Sequence, residues 1–340
     1  GGVVRLGGGG GGGGGVGGGV SWEVVGRAKR KTKAEKGADG VLERIAEGMR
    51  RAAEGAGLEL GVVSAVGIGA PGAVDGGRGV VLEAPNLRWR GVDVLGSLRS
   101  MVGFGGGLPM VLANDVNAAV WGEHVAGAGR GSRDTLGVWV GTGVGGGLVL
   151  NGSLYRGASG TAGELGQTLL FPNAPLTFRK LEDVCSRTAV TRRVVHLVET
   201  NSASVVAEIA ARKGRAIEGI GSGTLKEAYD GGDEVVRDVV NETADYLGRG
   251  VSNVVTVLGL ERVVLGGGLT EAMGVPFVER VERSCKEHVF PAALAERVRV
   301  RATELEDDAG LLGAAFMAAE SVGVETLAGE MSGAVAVAGG

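Results

Sequence analysis

Leu112-Ala113-Asn114-Asp115-Val116-Asn117-Ala118-Ala119 is the stretch on which the reading of this chain turns. Met110–Leu112 predicts a short strand and Val116–Ala126 a helix. Asn114 and Asp115 therefore stand at a strand-to-helix corner. In α/β folds ligands gather at the carboxyl ends of strands. A carboxylate at such a corner can accept a proton from a substrate hydroxyl. The same pair also suits a helix start, because Asn and Asp are favoured N-caps.

Outward from this corner the pattern alternates. Strands are expected at Trp22–Arg27, Val62–Gly69, Val80–Leu82, Leu136–Val140, Leu148–Leu150, Arg262–Leu265 and Val298–Ala302. Helices are expected at Gly37–Gly57, Val92–Val102, Leu181–Glu199, Val205–Ala211, Glu234–Leu258, Pro276–Val289 and Ala309–Ser321. In the first of these helices Val41, Leu42, Ile45, Met49, Ala52 and Ala53 share one face. Such alternation predicts an α/β protein with largely parallel strands.

The length of 340 residues suits two domains. With 44% hydrophobic and 22% charged residues, the balance is that of a soluble globular chain. No apolar run reaches the ~18 residues of a membrane span, and no secretory signal is read at the start. A net charge of -4 gives no reason to expect a nucleic-acid partner. The basic run Arg27, Lys29, Arg30, Lys31, Lys33 and Lys36 has no interleaved aromatics and reads as a solvated strand end and loop. Two cysteines, Cys185 and Cys285, exclude a disulfide scaffold and a four-cysteine zinc site. His124, His196 and His288 are too scattered to bind a metal together.

Twelve of the 68 glycines stand in Gly7–Gly15 and Gly17–Gly19, which read either as a flexible segment or as one whose side chains were never assigned. Leu327–Gly340 is rich in small residues and is expected to be a disordered tail. Three other glycine clusters lie within the alternating pattern. Gly141-Thr142-Gly143-Val144-Gly145-Gly146-Gly147 falls between two strands. Its backbone N–H groups can approach a phosphate closely, and Thr142 adds a hydroxyl. It lacks the Lys of a Walker loop, and a strand rather than a helix follows it. Gly160-Thr161-Ala162-Gly163-Glu164-Leu165-Gly166-Gln167 places a carboxylate and an amide among small residues, a set suited to sugar hydroxyls. Gly266-Gly267-Gly268 closes an apolar strand and can admit a flat base against backbone. Each cluster also has a plain structural reading, as a hairpin, a surface turn and a tight connection respectively.

Taken in order, these stretches resemble the ROK family of sugar kinases and repressors, within the hexokinase–actin–Hsp70 superfamily. The resemblance runs from about Arg27 to about Ala319. It rests on seven segments: Gly67–Asp75, Ala84–Trp89, Asn114–Ala119, Gly141–Gly147, Ala162–Gly166, Gly266–Gly268 and Asp307–Ala315. It implies a two-lobed actin-like ATPase (ribonuclease H-like) α/β fold with a central cleft. The lobes are expected at residues 1–122 and 123–326, with the last helix packing back on the first lobe. The implied activity is ATP- and Mg²⁺-dependent phosphorylation of a hexose hydroxyl, most often that of glucose, in the cytoplasm, by a homodimer or higher homo-oligomer. By resemblance Asp115 falls on the catalytic base. Asn86, Asn114, Glu164, Gln167 and Glu182 fall on the sugar side. Gly141, Thr142, Gly143 and Gly145 fall on a phosphate loop, and Gly266, Gly267 and Gly268 on the adenosine loop.

The chain departs from the family pattern twice. An Asp-x-Gly-Gly-Thr loop is expected within Gly7–Gly15, where only glycine stands. Many members also carry a structural zinc after an Ala-Gly-Glu-x-Gly-His motif. Here Gln167 replaces the His and Thr168–Asp183 holds no Cys, so no zinc is expected. The alternative to a kinase is a catalytically impaired sugar-binding or regulatory protein. Nothing before Ser21 suits a DNA-binding helix-turn-helix.

Overall fold

The structure is a computed structural model describing residues 1–7, 21–103, 107–200, 203–326 and, as backbone, 332–339. In chain order the elements begin with β1 (Gly2–Gly7), β2 (Ser21–Arg27), α1 (Gly37–Gly55), β3 (Ala65–Ala70), β4 (Ala73–Asp75), β5 (Val80–Ala84) and β6 (Trp89–Asp93). There follow α2 (Val94–Val102), β7 (Met110–Asn114), α3 (Asp115–Ala126), β8 (Thr135–Val140), β9 (Val144–Leu150), β10 (Ser153–Tyr155), α4 (Leu181–Cys185) and α5 (Arg187–Glu199). Next come α6 (Val206–Arg212), α7 (Ser222–Asp230), α8 (Glu234–Leu258), β11 (Arg262–Gly266), α9 (Gly268–Met273) and α10 (Val275–His288). The chain ends with α11 (Ala292–Arg297), β12 (Arg299–Ala302), α12 (Ala309–Glu320) and β13 (Ser332–Gly339). Among the described residues no helix is long and apolar enough to cross a membrane.

Two compact units result. The first comprises Gly1–Gly131, Ser153–Ala162 and Asp307–Gly340; the second comprises Ser132–Gly152 and Gly163–Glu306. The first boundary lies beyond residue 122 because the turn after α3 is tied back to that helix. Glu123 Oε2 accepts from Ala128 N–H at 2.7 Å, and the Glu123 carbonyl from Gly129 N–H at 2.9 Å.

In the first unit a sheet of order β2-β1-β13-β3-β7 carries the core. Val66, Ile68 and Leu112 of the sheet meet Leu42, Ala46 and Met49 of α1 and Leu95 and Leu98 of α2. Helix α12 packs on α3 and on β3. Small residues set that approach: a Cβ on Gly313 would stand 1.7 Å from the Ala118 carbonyl oxygen, and one on Gly67 1.9 Å from that of Ala314. The smaller sheet β4-β5-β6 is antiparallel.

One sequence expectation fails in this sheet. Ser332–Gly339 is no disordered tail but a strand, parallel to β3 and antiparallel to β1. Ala334-Val335-Ala336-Val337-Ala338 has the period-two pattern of a strand, which its small-residue composition concealed. The phosphate loop expected within Gly7–Gly15 falls almost wholly outside the described residues. Gly7, where the segment starts, pairs with Ser332 and Ser21. That is the amino end of β13 and β3, about 20 Å of strand away from the end that carries Asp115. The parallel neighbour of β3 on the side away from β7 is not the strand before the glycines. The structure makes β1 antiparallel and puts β13 in that place.

The second unit holds the parallel strands β8, β11 and β12, with β9 antiparallel on β8. Helices α4, α5, α8 and α10 bury its core, where Leu181, Val194, Leu247, Val251 and Val281 are fully buried. The expected glycine loop is shorter here than in the sequence reading. Only Gly141–Gly143 turn, and Val144–Gly147 continue as β9, with Gly145 opposite Trp139 and Gly147 opposite Gly137. The expected helix Leu181–Glu199 is broken at Ser186, whose side chain accepts from Ala189 N–H at 3.1 Å and caps α5. Likewise Val92 and Asp93 belong to β6, and Asp93 caps α2 by accepting from Gly96 N–H at 2.9 Å.

Candidate active site

In the first unit the β7–α3 corner holds Asn114 and Asp115 as the sequence implied. Asn114, 9% exposed, is the N-cap of α3. Its Oδ1 accepts from Asn117 N–H at 3.0 Å and its Nδ2 donates to the Gly72 carbonyl at 2.9 Å. Gly72 needs to be glycine: its φ is +88°, and a Cβ would meet the Glu83 carbonyl oxygen at 2.1 Å. Gly72 thus bridges Asn114 to the end of β5, from which the exposed turn Pro85–Leu87 presents Asn86.

The cap reading belongs to Asn114, which leaves the Asp115 carboxylate pointing elsewhere. Among the described residues its side-chain hydrogen bond is to its own corner, Val116 N–H donating to Oδ1 at 2.9 Å. Asp115 lines a cavity of about 420 Å³ with Gly69, Gly310, Asp307 and Asp308. Partial enclosure there raises its pKa above the ordinary carboxylate value, against the smaller opposing effect of the Val116 N–H. Arg27 on the same wall is held by Asp308 in a two-point pair, with N···O distances of 2.6 Å and 2.6 Å. That pair joins residues 281 apart in sequence, while the Arg27 side chain stays largely exposed, in keeping with the solvated reading.

In the second unit Glu182 of α4 faces the Gly141–Gly143 turn. Its Oε2 accepts from Val144 N–H at 2.8 Å and its Oε1 from Gln167 Nε2 at 3.3 Å. Lys180 Nζ in turn donates to Gln167 Oε1 at 2.8 Å. A Cβ on Gly143 would fall 2.2 Å from Glu182 Oε2, so glycine admits the carboxylate to the turn. Glu182→Ala is expected to cost about 1–3 kcal/mol, by leaving Val144 N–H without its acceptor, and Glu182→Gln clearly less. Chemical denaturation of the two variants checks this order.

Glu164 is exposed at the start of the turn Leu165–Gln167. Gly266 and Gly267 are packed against neighbours: a Cβ would meet the Trp139 ring at 2.6 Å and Val140 N at 2.8 Å. Gly141 is open, and Gly268 nearly so, with Ser222 Oγ 3.9 Å from a Cβ built there. The sequence reading missed Arg187 and Thr188, which hold the turn from the start of α5. Arg187 N–H donates to the Gly141 carbonyl at 2.9 Å, and Thr188 Oγ1 to the Thr142 carbonyl at 2.8 Å. The break at Ser186 was the signal that would have found them.

Among the described residues no group of three or more His, Cys, Asp or Glu is placed to hold a metal. Both cysteines are buried; burial pushes the Cys285 thiol up to about 12 and that of Cys185 higher still. Elemental analysis of protein purified without added metal is expected to find far less than one equivalent of zinc.

The strand-end carboxylate, the capped corner and the tethered glycine turn fit one class of protein, the sugar kinases and regulators of the ROK family. The ROK family model matches residues 18–321, and the chain belongs to that family. The glucokinase of Thermotoga maritima is 31% identical over 306 residues, 88% of this chain and 92% of that protein. A ROK family glucokinase from Streptomyces griseus, solved in complex with glucose and AMPPNP, matches with TM-score 0.73 and 29% identity, covering 89% of this chain and 92% of that one. The xylose repressor of Caldicellulosiruptor bescii is 29% identical, over 74% of this chain and 61% of its own length. The fold is the actin-like ATPase fold of these glucokinases.

Proposed function

We propose that the protein is an ATP-dependent hexose kinase that converts glucose to glucose 6-phosphate. The observation that carries this reading is Asp115. It is free of capping duty, follows the carboxyl end of β7, the edge strand parallel to β3, and its pKa is raised where it lines the cavity, which makes it a better base than an ordinary aspartate. The similarity to glucokinases over most of the chain supports the same reading.

In this mechanism Asn114 fixes the corner through Gly72 and Asn117, and Asp115 accepts the proton of the attacking sugar hydroxyl. Phosphoryl transfer needs positioning and charge neutralisation more than covalent chemistry. Asn86, Glu164, Gln167 and Glu182 are proposed on the sugar side, and the open turn at Gly141–Gly143 together with Gly145 and Gly266–Gly268 on the nucleotide side. Mg²⁺ would be held by one or two carboxylates plus phosphate oxygens, and Asp115 and Asp307 on one cavity wall would supply that donor class. When bound, it neutralises charge on the transferring phosphoryl group.

A coupled assay of ADP release across a panel of hexoses tests the reading. Turnover with glucose or a close epimer is expected. A folded sample that turns over no hexose would favour the second reading, a sugar-responsive regulator, which the match to xylose repressors supports.

A further inference from the structure

Beside the glycine turn the second unit has a cavity of about 640 Å³ that the sequence reading did not anticipate. One side of α5, from Arg187 to Glu199, and the segment 215–221 line it. Three arginines, Arg187, Arg192 and Arg215, face it against two carboxylates, Glu199 and Glu218. Arg187 stands where this cavity meets the turn. Its Nη2 donates to Thr142 Oγ1 at 2.9 Å, while its backbone N–H is fixed on Gly141. Among the described residues no carboxylate lies within ion-pair distance of Arg187, so its charge is not neutralised by the protein. A guanidinium has five donors in a planar fork that matches a phosphate. Most of that fork remains available after the single bond to Thr142.

We infer that Arg187 is a donor-binding residue whose guanidinium, positioned by the Gly141–Gly143 turn, takes a phosphate oxygen of the nucleoside triphosphate while the cavity beside it receives the nucleoside. The inference rests on the kinase reading and adds to it a charged contact in this chain. It also supplies positive charge to a turn that has no lysine of its own.

The test is calorimetric titration of wild type, Arg187→Ala and Arg187→Lys with ATP and, separately, with adenosine, alongside KM for ATP and for glucose. Thermal melts establish that each variant is folded. Arg187→Ala is expected to weaken ATP about 10–100-fold, the scale of one charge-assisted hydrogen bond, while leaving adenosine affinity and the KM for glucose unchanged. Arg187→Lys should fall between, because the charge stays and the fork is lost. Unchanged ATP affinity in Arg187→Ala would overturn the assignment. Equal loss of ATP and adenosine would overturn it too, since Arg187 would then only shape the turn. A wild type that binds no ATP and phosphorylates no hexose would overturn the kinase reading itself, a result distinct from both.

Discussion

Asp115→Asn is expected to lower kcat by about 10²–10⁴ while leaving sugar affinity nearly intact. The change keeps the size of the side chain and its bond to Val116 N–H, and removes only the base. The pH profile should agree. Enclosure raises the Asp115 pKa, and the ionised form is the active one. Activity should therefore fall with decreasing pH at a point above the ~3.9 of an ordinary Asp, and the residual activity of Asp115→Asn should lack that acid limb. A variant with near-normal kcat would reduce Asp115 to a corner residue.

The second large effect is structural. Gly313→Val should destabilise the first unit by about 1–3 kcal/mol or more, because its Cβ would stand 1.7 Å from the Ala118 carbonyl and force α3 and α12 apart. Because α3 begins at Asp115, any protein that folds should also lose activity. Gly310→Ala, in the same helix, is the control: its Cβ would find nothing nearer than the Asp115 carbonyl oxygen at 3.9 Å, and it should be tolerated. Thermal melts of both variants decide. A normal melting temperature for Gly313→Val would contradict the packing described here.

The sequence showed most where one physical signal dominated. Glu234–Leu258 was legible to the residue, since a long amphipathic period is bracketed by the Asp233 cap and by Gly259 at φ +67°. Asn114 and Asp115 were legible as a corner, but not which of them caps the helix; Asn114 takes that bond because its Nδ2 also reaches Gly72. What stayed hidden depended on pairing. Val144–Gly147 is a strand because β8 lies beside it, not because glycine favours strands. Ser332–Gly339 is ordered by β1 and β3, which its composition could not reveal. Arg187 was hidden inside an apparently continuous helical period, and only the break at Ser186 exposes it.

Phosphorus NMR of the protein with ATP, Mg²⁺ and glucose tests the kinase assignment most directly. Glucose 6-phosphate and ADP resonances are expected to grow in equal amounts, only when sugar is present, and to be nearly absent with Asp115→Asn. ADP and inorganic phosphate without a sugar phosphate, or equal sugar phosphate from wild type and Asp115→Asn, would contradict the account.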